Sequence, residues 1–83
     1  MTLKEQLESI RDNVYSGGDY TVEMNRLKQV INSTKKDAEW KTHLCNVVDA
    51  GIAGFNRRGY NKEDFDRDFS LVVFSIGSIP DKE

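Results

Sequence analysis

An all-α fold, a compact bundle of four short helices, is predicted by apolar rhythm, by capping residues and by breakers. Four sets of apolar residues recur at spacings of three and four. They are Leu3, Leu7, Ile10, Val14; Tyr20, Met24, Leu27, Ile31; Trp40, Leu44, Val47, Gly51, Phe55; and Phe65, Phe69, Val72, Ile76. A helix returns to the same face after three or four residues, so each set forms one stripe. Four one-sided helices satisfy one another by packing together. The 83 residues hold one core, so residues 1–83 are expected to be a single helical domain.

The first helix is expected from about Thr2 to Tyr15. Thr2 is a suitable cap, Glu5 its capping-box partner, and Ser16-Gly17-Gly18 the stop. Asp19 or Thr21 caps the second helix, which runs to about Ile31 or Asn32. Residues 32–37, Asn-Ser-Thr-Lys-Lys-Asp, are polar and compete with helical hydrogen bonding, which predicts a turn. They contain neither Gly nor Pro, and Ala38, Cys45, Val48, Ile52 and Phe55 continue a seven-residue repeat. A single helix over 21–57, and hence three helices in all, is the alternative. Arg57 and Arg58 suit the negative end of the third helix, and Gly59 suits its left-handed cap. Asn61 caps the fourth helix, Glu63, Asp64 and Asp66 complement its positive end, and Gly77 and Pro80 end it.

Residues 70–79 also have strand-like content, but no second segment offers a partner strand. As a helix, Leu71, Val72, Val73 and Phe74 point all round. That segment must be wrapped by its neighbours or bury a second face in a partner.

Composition narrows the function classes. A charged fraction of 31% beside 37% hydrophobic residues is that of an ordinary folded domain. The longest apolar run, Leu71 to Phe74, is far short of the roughly 20 residues a membrane span needs. The N-terminal residues lack the basic and apolar pattern of a signal peptide. One cysteine, Cys45, cannot form an internal disulfide and suits a reducing compartment, so a cytoplasmic location is expected. The net charge of −2 argues against a dedicated nucleic-acid binder. It is uneven: residues 1–62 carry ten Lys/Arg and eight Asp/Glu, residues 63–83 two and six.

No catalytic constellation can be assembled. His43 and Cys45 lie about 200° apart on a helix, so they do not form a dyad, and Glu39 is the natural partner of His43. One His and one Cys cannot build a zinc site. Asp64 and Asp68 share a face, but the calcium-loop pattern is absent and helix-dipole compensation explains the acidic run. No metal and no cofactor are therefore expected.

Three features stand out as contact candidates. Gly51 and Gly54, in Ala50-Gly51-Ile52-Ala53-Gly54, cost about 1 kcal/mol each relative to alanine in a helix. They predict close packing or a notch for a partner side chain. Within that segment, Gly51-Ile52-Ala53-Gly54 matches the GXXG clamp of an RNA-binding fold, whose three strands are missing here. Arg57, Arg58, Tyr60 and Lys62 gather cations and an aromatic at a helix junction, where Arg and Tyr serve as interface anchors. Phe74 stands on the helix with surplus apolar surface. A helix-turn-helix with its turn at Gly51 would place residues 56–60 on the recognition helix, but Gly59 ends it too early.

The leading functional expectation is a small, non-enzymatic protein–protein interaction module, a regulator, adaptor or phage-type inhibitor. Homodimerisation through the last helix would use the same surface. The alternative is a nucleic-acid or nucleotide-binding module using Lys35, Lys36, Arg57, Arg58 and Lys62. A small ligand beside Gly51 and Gly54 is a third possibility.

Overall fold

The computed structural model describes residues 2–78, folded as α1 (Leu3–Tyr15), α2 (Tyr20–Ser33), α3 (Ala38–Arg58) and α4 (Lys62–Ser78). No strand is present among the described residues. The four-helix, all-α reading holds, and the single helix across 21–57 does not form.

Each boundary has a local cause. The Thr2 hydroxyl accepts from the Glu5 amide, and the Glu5 carboxylate accepts from the Thr2 amide, closing the capping box. Asp19 accepts from the Val22 amide at 3.2 Å and starts α2. Between α1 and α2, Gly17 adopts φ +90°, where a side chain would be strained. At Gly18 an added Cβ would fall 2.7 Å from the Asn13 carbonyl oxygen, so the tight reversal requires both glycines.

After Ser33 the break comes from side chains. The hydroxyls of Ser33 and Thr34 donate back to the carbonyls of Val30 and Ile31 at 2.7 Å, and Asp37 then caps α3 through the Glu39 amide. Gly59, at φ +83°, ends α3 after Arg57 and Arg58. Asn61 accepts from the Asp64 amide at 3.1 Å and opens α4. α4 is described through Gly77 to Ser78, between the two residues expected to end it. Gly77 keeps a negative φ and meets no neighbour, so nothing compels the chain to turn at that residue. Pro80 lies outside the described residues.

The α2 helix is the centre, packed against α1 on one side and α3 on the other, with α4 lying against α3. Leu7, Ile10 and Val14 of α1 meet Tyr20, Met24, Leu27, Val30 and Ile31 of α2, and α3 adds Leu44 and Val48. From α4, only Phe65 and Val72 are fully buried, with Phe69 and Ile76 partly covered. On α3 Leu44 is buried as its stripe predicts, but Val48 is buried where Val47 is expected, and Trp40 and Phe55 are partly covered.

Aromatic side chains lock the end of the bundle where α1 stops and α4 starts. Phe65 meets Tyr15 and Tyr20 edge-on at centroid distances of 5.7 and 6.1 Å and stacks on Phe69. Tyr20 stacks on Phe55 at 4.7 Å. No described helix is long and apolar enough to cross a membrane.

Candidate functional site

Two surfaces of α4 compete for attention, one at the start of the helix and one in its C-terminal half. The first is a cleft of about 310 Å³ between the C-terminal half of α3 and the start of α4. The interior glycines of α3 create it. Val47, Ala50, Gly51, Gly54 and Phe55 form one wall, Asp64, Arg67 and Asp68 the other, and Arg58, Tyr60 and Tyr20 close the end.

At Gly51 an added Cβ would stand 3.1 Å from Asp68 Oδ2 and 3.2 Å from the Tyr20 hydroxyl oxygen. At Gly54 it would stand 3.3 Å from Arg58 Nη2, because the guanidinium folds back across the helix. The helix-propensity cost of both glycines thus has a local reason: polar groups occupy the space that side chains would take.

The charges in the cleft are loosely paired. Asp64 faces Arg58 at 3.8 Å and Arg67 at 3.5 Å, and Asp68 Oδ1 faces the Arg67 Nε at 3.5 Å. The two arginine side chains are largely exposed, whereas that of Asp68 is only 18% exposed. Burial lifts the Asp68 carboxyl above the usual carboxylate range despite Arg67 beside it, and nearby Asp64 adds to the rise. Burial likewise raises the Tyr20 phenol, with Asp68 and Asp64 contributing negative potential.

The predicted contact residues separate in the structure. Gly51, Gly54, Arg58 and Tyr60 come together in this cleft. Arg57 is exposed and does not line it. Lys62 turns toward α1 instead: its Nζ is 2.8 Å from Asp66 Oδ2 and 5.2 Å from the Tyr15 ring centroid. The Tyr15 hydroxyl donates to the same Asp66 carboxylate. The grouping of Arg57, Arg58, Tyr60 and Lys62 as one patch therefore dissolves, because consecutive residues around Gly59 enter and leave two helices in different directions.

Opposite pH responses are expected from the two aspartates. Lys62 and Tyr15 hold the Asp66 carboxyl below its usual range. The folded state thus favours its charged form, and that stabilisation is present above the unfolded carboxyl range and fades as pH falls through it. For Asp68 the folded state favours the neutral acid, so ionisation at neutral pH works against folding. Thermal melts should find Asp66→Asn less stable than the parent at pH 7, with the gap closing at acid pH. Asp68→Asn should melt at or above the parent at pH 7; the reverse order would show that the carboxylate is adequately paired.

The second surface is the C-terminal half of α4. Phe74 is 71% exposed, Leu71 42% and Val73 39%. At 100° per residue, Leu71 lies 60° to one side of Phe74 and Val73 100° to the other. Val72, between them in sequence, is completely buried against the bundle. The neighbouring helices therefore cover only one side of this segment.

Other predicted candidates fall into structural places. Cys45 is a free thiol packed partly against the core, 3.8 Å from Asn32 Oδ1, and His43 is exposed on the same helix. Lys36, a member of the predicted basic set, is buried and lies 6.0 Å from the Trp40 ring centroid. Gly51 sits inside unbroken helix, which removes the turn of a helix-turn-helix and the loop of a GXXG clamp. Among the described residues no group of three or more His, Cys, Asp or Glu side chains is placed to hold a metal ion.

Comparison of the chain with known families, with curated proteins and with solved structures yields no match.

Proposed function

We propose that this chain is a small, non-enzymatic protein–protein interaction module whose contact face is the exposed apolar side of α4 around Leu71, Val73 and Phe74. One observation carries the reading: a phenylalanine in the C-terminal half of a regular helix stands 71% exposed with two aliphatic neighbours. Single exposed apolar residues are ordinary, but adjoining ones led by an aromatic have the composition of an interface anchor. Regulators, adaptors and inhibitors are the roles open to such a module. A second copy of the chain, pairing α4 against α4 about a two-fold axis, and a different protein are the two occupants.

The nucleic-acid alternative draws less support. Arg58 and Lys62 face Asp64 and Asp66 rather than projecting together, and Lys36 is buried. The cationic groups that would contact phosphate are dispersed over different faces.

The test compares the parent with Phe74→Glu. Light scattering at micromolar concentration separates dimer from monomer, and tagged capture from a host lysate separates a foreign partner from none. The expected result is a dimer or a captured protein with the parent, lost with Phe74→Glu while helix content stays unchanged. A monomeric parent whose capture profile equals that of the variant overturns the reading.

A further inference from the structure

We infer that the cleft between α3 and α4 is a binding site for a primary ammonium group, with Asp68 and Tyr20 at its floor. This inference concerns the start of α4 rather than the C-terminal half proposed for protein contact, so either can fail without the other.

Its basis is a pair of oxygens, Tyr20 Oη and Asp68 Oδ2, that converge beside Gly51 and face the cleft. Tyr20 is only 6% exposed, yet its hydroxyl reaches the cleft beside Gly51. The Tyr20 ring is packed in the core, and no group among the described residues hydrogen-bonds the hydroxyl, which stays open to the cleft. Asp68 uses Oδ1 toward Arg67, and Oδ2 is the oxygen that faces Gly51. The missing Cβ of Gly51 is what opens the cleft to both oxygens, since it would stand 3.1 and 3.2 Å from them. Asp64 adds a second carboxylate to the same wall.

The chemistry of this floor selects its ligand. Two acceptor oxygens and a nearby second carboxylate call for a compact group with several donors and positive charge. An ammonium has three donors and no acceptor, and it is smaller than a guanidinium. The rings of Tyr20, Phe55 and Tyr60 border the space and suit both a cation and the methylene stem behind it. Arg58 and Arg67 also line the cleft, but they are turned to Asp64 and to Asp68 Oδ1. At Asp68 Oδ2 and the Tyr20 hydroxyl an anion would meet the carboxylate, and an uncharged alkyl group would leave both oxygens unmet. Burial raises the Asp68 carboxyl even with Arg67 beside it, which implies that binding weakens as pH falls.

Two sources share this chemistry: a lysine side chain on another protein and a free aliphatic diamine. The experiment titrates the full-length, isotope-labelled chain by amide NMR with N-acetyl-lysine amide, with putrescine, and with N-acetyl-norleucine amide as the uncharged comparator. Saturable shifts at Gly51 and Gly54 are expected with at least one amine, at a dissociation constant of about 1 mM or below, and at least about tenfold weaker with norleucine. Asp68→Asn and Tyr20→Phe, both near-isosteric, should each weaken the amine about fivefold or more while leaving the remaining amide spectrum folded. Tighter lysine amide assigns the site to a protein side chain; tighter putrescine assigns it to a free diamine. Absence of saturation with both amines, equal binding of norleucine, or undiminished binding by Asp68→Asn overturns the inference. Phe74→Glu should bind the amine as the parent does.

Discussion

Phe65→Ala is expected to lower stability by about 3–5 kcal/mol, more than any other single truncation in α4. The ring is 1% exposed and touches Tyr15, Tyr20 and Phe69, which belong to three different helices. Removing it leaves a cavity where α1, α2 and α4 converge, and three aromatic neighbours lose their edge or stacking partner at once. Native domains retain about 0.05–0.15 kcal/mol per residue, which for 83 residues is roughly 4–12 kcal/mol. The loss is therefore a large share of the total. At about 4–8 °C per kcal/mol, the melting temperature should drop by at least about 12 °C. Urea unfolding followed by circular dichroism measures the difference directly. Phe74→Ala, nine positions on in the same helix, should change stability by less than about 0.5 kcal/mol because its ring packs on little. If the two variants prove equally costly, α4 is not docked through Phe65.

That pair of phenylalanines shows where sequence reading succeeds and where it stops. The helices were legible because their ends are chemical: Thr2 with Glu5, Asp19, Gly59 and Asn61 each act within a few residues of their own position. Which stripe faces the core was legible wherever one stripe dominates, as in α2. It blurred in α3, where apolar residues occupy neighbouring positions and Val48 rather than Val47 reached the core. In α4, the all-round apolar run stated a choice between wrapping and exposure, and only the packing of neighbouring helices could decide it.

The cleft was half legible. Interior glycines signalled close approach, and Asp64 with Asp68 signalled a shared face. Asp68 is the seventh residue of α4, beyond the first turn where dipole compensation explains a carboxylate, and that is a signal for a second role. Nothing local brings Tyr20 to them, since it arrives from another helix with its ring in the core and only its hydroxyl at the cleft. The separation of Lys62 from Arg58 was equally invisible, because it depends on the direction in which α4 leaves Asn61.

The second large effect is expected at Glu23, a charged residue that the fold buries. Glu23→Ala should cost about 1–3 kcal/mol. Its carboxylate is 8% exposed; it accepts from Asn13 Nδ2 at 3.0 Å and from Arg26 Nη1 at 2.9 Å, which ties the end of α1 to the start of α2. Its position in the first turn of α2 adds a favourable interaction with the helix dipole. Truncation strands the Asn13 amide in a partly buried place and removes the charge, but the Arg26 side chain is 43% exposed and returns to water. That exposure is why the expected loss stays below the penalty for breaking a fully buried pair. Glu23→Gln keeps the shape and one acceptor while deleting the charge, so its cost should fall between zero and that of alanine. A double-mutant cycle with Asn13→Ala isolates the link between the helices, and a coupling of about 0.5–1.5 kcal/mol is expected. Coupling near zero, with the glutamine variant as unstable as the alanine one, would mean that Glu23 acts through the dipole and Arg26 alone. The Gly17-Gly18 reversal and the apolar seam would then hold α1 on α2 without help from the polar contact.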